Sequence, residues 1–316
     1  MGQKTAEQVT EGVDASPLTI IVTGGTNGLG KETVRVLAKR GAHIVLAARN
    51  MSAAETVKED ILKETASARI DLLKIDLASM ESVRTAAKEF LALNVPLNVL
   101  VCNAGMASSS SLTIEYSVDG VELAFATNYL GHVLLTQLLL DKLKETARET
   151  GIEGRIVNVS SIAYEVFVHE EGIQFEAIQR SDKTNVNNGN FMSRFKNYGQ
   201  SKLAQILYTK ELAKRLQDEG VNVTVNSLHP GTVRTNITAT TPFWIRPFLN
   251  LGFFLAGVTS KQGAGLQTYL AISPEVKGVT GKYFDNYKER PLKLKHALDE
   301  ELQKKLWDFS MKLISA

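Results

Sequence analysis

Short runs of apolar, β-branched residues alternate along this chain with longer stretches whose apolar positions recur at helical spacing. Residues 18–23 form the first run, end in glycines, and read as a buried parallel strand. Residues 31–40 follow as a helix, with Val34, Leu37 and Ala38 on one side and Gly41 closing it. The strand pattern returns over 43–48, 70–75, 99–102 and 155–159, and the helical one over 52–65, 79–93 and 123–146. A helix over 198–218, a sixth strand over 222–228 and a seventh, at the edge, over 281–284 complete the series. Such alternation predicts βαβ units wound around one sheet. The expected fold is α/β: a single-domain Rossmann fold across 1–316, doubly wound, its mainly parallel seven-stranded sheet covered by helices on both faces.

Some segments stand outside this rhythm. Residues 1–17 are polar and mixed in charge, and read as an N-terminal arm or short helix packed on the domain. Residues 165–197 carry Asn-rich material over 182–190, and are too long for an ordinary connection, so they read as an insertion. In the C-terminal segment, 296–316, Leu298, Leu302, Leu306, Phe309 and Leu313 make one apolar stripe. Its acids Asp299, Glu300, Glu301 and Asp308 offset Lys304, Lys305 and Lys312. That balance argues against a calmodulin-type partner and for a helix docked on the domain.

Composition narrows the function classes. Of 316 residues, 36 are basic and 34 acidic, a net charge of +2, so the concentrated basic excess of a nucleic-acid protein is missing. The single cysteine, Cys102, has no internal disulfide partner and lies in a predicted buried strand, where a core thiol is expected. The most apolar stretch, 243–258, is interrupted by Arg246, Pro247 and Asn250, and is shorter than the roughly 20 residues that span a bilayer. No transmembrane segment is expected, and the chain reads as soluble and cytoplasmic.

Thr23-Gly24-Gly25-Thr26-Asn27-Gly28-Leu29-Gly30 stands between the first strand and the first helix, where a phosphate cradle belongs. Gly24 permits the tight turn, Gly28 the approach of backbone to a pyrophosphate, and Gly30 the close packing of helix on strand. A site for NAD usually places an acid about 20 residues further on. Here that stretch reads Ala47-Ala48-Arg49-Asn50, with no carboxylate. Arg49, helped by Lys31, reads as the partner of a 2′-phosphate and points to NADP(H); the alternative is a solvated surface arginine.

Tyr198 and Lys202 stand four apart on a predicted helix and share a face. A neighbouring ammonium favours a phenolate and would bring the tyrosine toward a useful pKa.

Together with the glycine loop, Asn103-Ala104-Gly105, Asn128, Val159-Ser160-Ser161, Tyr198-Gly199-Gln200-Ser201-Lys202 and His229-Pro230-Gly231 occur in an order that resembles the short-chain dehydrogenase/reductase superfamily. The resemblance covers about residues 18–284. Within the superfamily the chain resembles the retinol-dehydrogenase-like branch, and most of all the plant proteins named for the chloroplast inner-envelope translocon. The stretches 6–10 and 306–310 match that group outside the catalytic motifs.

The resemblance implies roles. Tyr198 would exchange a proton with the substrate oxygen, and Lys202 would bind the nicotinamide ribose and hold the tyrosine's pKa down. Ser161, rather than Ser160, would hydrogen-bond the substrate oxygen. Asn128 would kink its helix and hold a water that relays protons through Lys202. Asp76 and Leu77 would meet the adenine ring. Asn103, Ala104 and Gly105 would line the cofactor floor, with a purely structural role for Asn103 equally open. Pro230, Gly231, Val233 and Thr235 would cradle the carboxamide. His132 and His229 read as structural.

The wide separation of Ser161 and Tyr198 would fold over the substrate side. Residues 235–259 fall where the family keeps its substrate lid, made apolar by Phe243, Trp244, Phe248, Phe253 and Phe254. That lid would cover a lipophilic carbonyl or alcohol, or pack on its own core or on a partner subunit, which leaves a homodimer open. The expected activity is reduction of a carbonyl by an NADP-dependent oxidoreductase. The competing function is an NADPH-binding redox-sensing or scaffold subunit of a plastid-envelope complex, with peripheral envelope location as the alternative to cytoplasm. Epimerase or dehydratase chemistry fits less well, because those proteins space their glycines differently.

Overall fold

Eight strands make one sheet, in the order β3-β2-β1-β4-β5-β6-β7-β8. The computed structural model describes residues 4–106, 114–179, 191–231 and 258–315. The strands are β1 Thr19–Thr23, β2 His43–Ala48, β3 Arg69–Lys74, β4 Val99–Cys102, β5 Gly154–Val159, β6 Val223–His229, β7 Tyr283–Asp285 and β8 Lys288–Glu289. The first seven run parallel to their neighbours. The eighth strand was not expected. It is two exposed charged residues turned back antiparallel on β7, through Asn286 and Tyr287 in left-handed conformation. A hairpin that short, with no buried side chain, leaves no hydrophobic period in the sequence.

Along the chain, the helices begin with α1 Ala6–Val9, α2 Gly28–Lys39, α3 Met51–Glu64 and α4 Met80–Ala92. Next come α5 Leu123–Thr150, α6 Ala163–Val166, α7 Phe175–Ile178 and α8 Phe191–Asp218. The series closes with α9 Ser260–Ile272, α10 Lys295–Leu298 and α11 Glu300–Ser315. They cover both faces. Phe90, Leu134, Leu207 and Leu306, from α4, α5, α8 and α11, pack over Leu100, Ile156 and Val225 of the sheet. On the other face Val34, Leu37, Val57 and Leu266, from α2, α3 and α9, pack over Ile20, Ile44 and Val99. Burial of these side chains, at roughly 1.5–3 kcal/mol each, is the main force holding the layers.

β1 pairs with β2 on one side and β4 on the other. The winding reverses there, opening a crevice beyond the carboxyl ends of both strands. The glycine loop leaves β1 at that point and Asn103-Ala104-Gly105 leaves β4.

α5 is long and apolar enough to cross a membrane, yet 72% of its most apolar window is buried inside the fold. It is the central core helix. All but the last residue of the 243–258 stretch, its five aromatic side chains included, lies outside the described residues, as does 182–190.

The ends of the chain dock as expected, with one correction. Thr5 and Gln8 form a capping box on α1. Ala6 of α1 packs against Val36 and Ala264, and Glu7 pairs with Arg35 and Lys39, which hold its carboxyl down to about 2. At the other end, Leu302, Leu306 and Leu313 are buried, and Trp307 stacks on Tyr208 at 5.6 Å. Leu298, placed in the same stripe, is 52% exposed. The helix breaks at Asp299, whose side chain accepts from Leu302 N at 3.0 Å, so Leu298 belongs to a separate turn.

Candidate active site

The glycine loop is shaped by what cannot fit there. Gly24 has φ +68°, and a Cβ on it would lie 2.9 Å from Ala104 Cβ. A Cβ on Gly30 would collide with the Gly24 carbonyl oxygen and stand 2.6 Å from Asn103 Nδ2. Gly28 also takes a left-handed conformation, at φ +52°. Thr26 and Leu29 are half-buried, while Asn27 and Gly28 are exposed. Asn27 is the N-cap of α2, yet its side chain makes no capping bond. The first N–H groups of α2 therefore face the crevice uncapped, beside a loop too tight for side chains. That is the cradle a pyrophosphate needs, and the residues present fit a nicotinamide dinucleotide.

Thr23 is the hub behind this loop. Its Oγ1 accepts from Asn103 N and Ala104 N, each at 3.0 Å, and lies 2.8 Å from His132 Nε2. His132 Nδ1 lies 3.0 Å from the Asn128 carbonyl oxygen, which can only accept. The imidazole is therefore protonated on Nδ1, and Thr23 donates its hydroxyl to Nε2. Burial holds His132 down to about 4, so the ring is neutral and structural. The Asn103 side chain braces the same loop, since Nδ2 donates to Thr23 O at 2.8 Å and Oδ1 accepts from Gln267 at 3.2 Å. Of the two roles left open for Asn103, this is the structural one.

Arg49 lies exposed at the end of β2, and no described residue engages its guanidinium. Lys31, expected to help it, is instead paired with Asp60 at 3.0 Å, because α3 brings that carboxylate over α2. Asn50 serves as the N-cap of α3, accepting from Ala53 N at 3.0 Å. Beyond β3, Asp76 is held in a turn by Ala78 N at 3.0 Å. Leu77 is buried, and its backbone is met so closely by Gly131 of α5 that a Cβ there would collide.

α5 contains one π-helical turn, Ala126–Leu130, with Asn128 inside it. The expected kink has this form; such insertions cluster at functional sites. The Asn128 side chain is bonded at both ends: Oδ1 accepts from Met106 N at 2.8 Å, and Nδ2 donates to Met106 O and Ser201 Oγ, each at 2.9 Å. Its carbonyl accepts from both His132 and Gln205 Nε2, the latter at 2.7 Å.

α8 begins two turns before Tyr198 rather than at it. Its polar first turns are held by contacts a sequence does not display: Phe195 packs on Phe167 at 5.0 Å, and Asn197 bonds Glu122. Gly199 is where α6 crosses, since a Cβ there would collide with the Phe167 carbonyl oxygen. Ser160 is buried and donates to Lys202 O at 2.7 Å. Ser161 is the serine whose hydroxyl meets Tyr198. The two serines thus have different partners.

Lys202 is buried and donates to Val159 O at 2.8 Å and Gln205 Oε1 at 3.4 Å. Its ammonium lies 5.7 Å from the centroid of the Tyr198 ring. Burial brings Lys202 down to about 7, so its charge is only partly present at neutral pH. Tyr198 lies above its ordinary pKa, because burial raises it more than the Ser161 hydrogen bond lowers it. The expectation that Lys202 holds this phenol down is not met here, since the ammonium is turned to Val159 and Gln205. Tyr198 is a protonated acid at neutral pH.

Beyond β6, His229 accepts from Ile162 N at 3.3 Å and is largely buried. Pro230 is buried and Gly231 turns at φ +88°; Val233 and Thr235 lie outside the described residues. Cys102 is fully buried, its thiol pushed up to about 12, which makes it core. Sequence reading missed Thr23 and Gln205 as members of the network. Thr23 opens the glycine motif and Gln205 lies one turn beyond Lys202, but only tertiary contacts reveal their partners.

The chain is similar to known proteins along most of its length. Residues 18–171 match the short chain dehydrogenase family. The chain is 49% identical to the chloroplastic short-chain dehydrogenase TIC 32 B of Brassica napus, over 99% of this chain and 93% of that one. It is 40% identical to mouse retinol dehydrogenase 13, over 94% of this chain and 83% of that one. An uncharacterised Mycobacterium paratuberculosis protein of known structure superposes with a TM-score of 0.71 at 26% identity, covering 100% of this chain and 98% of its own. Fold, glycine loop and full-length relatives together make this chain an oxidoreductase of the short-chain dehydrogenase/reductase family.

Proposed function

We propose that this chain uses NADP(H) and reduces a carbonyl group on a lipophilic small molecule. The observation that carries the cofactor choice is Arg49, exposed at the end of β2 with no partner among the described residues and no carboxylate beside it. A free guanidinium there suits a 2′-phosphate, which an acid would repel. Bound in the cleft, the cofactor supplies the hydride. Tyr198 donates its phenolic proton to the carbonyl oxygen as the hydride arrives; burial keeps the phenol protonated until that step. Ser161 donates a hydrogen bond to the same oxygen and stabilises its developing charge. Lys202 would orient the nicotinamide ribose, and Ala104 and Gly105 would line the floor of the cofactor site.

Two observations support a lipophilic substrate. Val166 and Met192, on the helices that carry the chain toward Tyr198, are 63% and 50% exposed, beside the Phe167–Phe195 pair. The relatives include retinol dehydrogenases. A second reading, a redox-sensing or scaffold subunit at a plastid envelope, is favoured by the chloroplastic relatives. Those relatives also favour the plastid over the cytoplasm, and a fluorescent fusion imaged in plant cells separates the two.

The test is cofactor affinity with turnover. NADPH should bind at least about tenfold more tightly than NADH, and Arg49→Asp should reverse that order. Unchanged NADPH affinity in the variant would sink the assignment. All-trans-retinal and bulky hydrophobic ketones should be reduced and small polar carbonyls poorly; the opposite order would sink the substrate class.

A further inference from the structure

One side chain joins the catalytic lysine to the π turn without belonging to the expected set. Gln205, one turn beyond Lys202 on α8, is 2% exposed. Its Nε2 donates to the Asn128 carbonyl at 2.7 Å, and its Oε1 accepts from Lys202 Nζ at 3.4 Å. The amide has only this orientation, because a carbonyl must accept and an ammonium must donate. Gln205 provides the one side-chain acceptor for Lys202 among the described residues; its other partner is the Val159 carbonyl.

We infer that Gln205 is a positioning residue for Lys202, its amide filling the place between the ammonium and the Asn128 carbonyl. The Asn128 carbonyl also accepts from His132, and His132 from Thr23. Lys202 is thereby tied through Gln205, Asn128 and His132 to the threonine that opens the glycine loop. This chain of contacts fixes the ammonium beside Gly105, where a Cβ would stand 3.5 Å from Nζ. The inference rests on the reading of Tyr198 and Lys202 as a catalytic pair.

Among the described residues, Tyr198 approaches Lys202 from its own helix and neutral His132 from α5, while β5 contributes the Val159 carbonyl and Gly105 lies beside Nζ. Removing the Gln205 acceptor therefore has a readable consequence: the buried ammonium loses one of two partners, and its charged form becomes harder to hold.

The experiment uses the full chain with isotope-labelled lysine and follows the Lys202 side-chain resonance by NMR between pH 5 and 11, with Lys202→Met to assign it. Neither cofactor nor substrate is needed. Gln205→Leu should lower the Lys202 midpoint by about half a unit or more, and move the pH profile of kcat/KM with it. Gln205→Glu, which restores an acceptor and adds charge, should raise the midpoint. An unchanged midpoint in folded Gln205→Leu would overturn the inference; should that variant fail to fold, an unchanged or lowered midpoint in Gln205→Glu would do so. Failure of the catalytic reading itself registers separately, as turnover surviving in Tyr198→Phe.

Discussion

At the catalytic end of the cleft, Asn128, Ser160, Lys202, Gln205 and His132 are buried and bonded to one another or to backbone. At the adenosine end, Asn27, Gly28 and Arg49 are exposed, and Arg49 has no partner among the described residues. Buried polar groups are costly to strand, so the first set is fixed by its own network. Exposed ones cost little to change, so the second set is free to follow the cofactor. Under the proposed function, the residues assigned to the chemistry are thus separate from those assigned to cofactor choice. Gly30 belongs to the built half even though it lies in the loop, because no side chain fits between Gly24 and Asn103.

The contrast can be broken at several points. Gly30→Ala should cost about 3 kcal/mol of stability and abolish nucleotide binding; wild-type melting and cofactor affinity would remove the loop from the built half. His132 provides a pH test. Its folded pKa of about 4 lies below the ordinary 6.5. Between those values the unfolded chain binds the proton and the folded chain does not, so stability rises with pH across that window. As pH falls from 6.5 to 4, about 3 kcal/mol should be lost. Urea unfolding of His132→Gln over the same window should show a shallower acid loss, and an equal loss would place the sensitivity elsewhere.

The serine pair sharpens the contrast further. Ser161→Ala should lower kcat by about 10²-fold with stability retained. Ser160→Ala should cost about 1 kcal/mol of stability with a much smaller kinetic effect; the reverse pattern would exchange their roles. The smallest structural effect is expected from Arg49→Asp, whose unfolding free energy should stay within about 0.5 kcal/mol of wild type while cofactor preference changes. A large loss of stability would show that Arg49 belongs to the built half.

Sequence pattern was most informative where one period governs a whole element. β1 to β6 and α2 to α5 are continuous hydrophobic runs or amphipathic stripes, and their positions follow from spacing alone. The glycine loop and the candidate catalytic residues stood out because close backbone approach and acid-base chemistry each demand particular residue types. What escaped depends on tertiary contacts. The early start of α8 rests on Phe195 against Phe167 and Asn197 against Glu122. The pairing of Lys31 with Asp60 rests on α3 lying over α2. Tyr198 lies above its ordinary pKa because burial outweighs its Ser161 hydrogen bond, and Lys202 donates to Val159 and Gln205, neither of which four-residue spacing encodes.

The central claim is that Tyr198 is the proton donor of a cluster that stays intact without it. Single-turnover reduction of a substrate carbonyl by cofactor-saturated Tyr198→Phe, alongside cofactor affinity and melting temperature, tests it directly. The account predicts a loss of about 10²–10⁴-fold in rate with affinity and melting near wild type. A rate within a few-fold of wild type would contradict it.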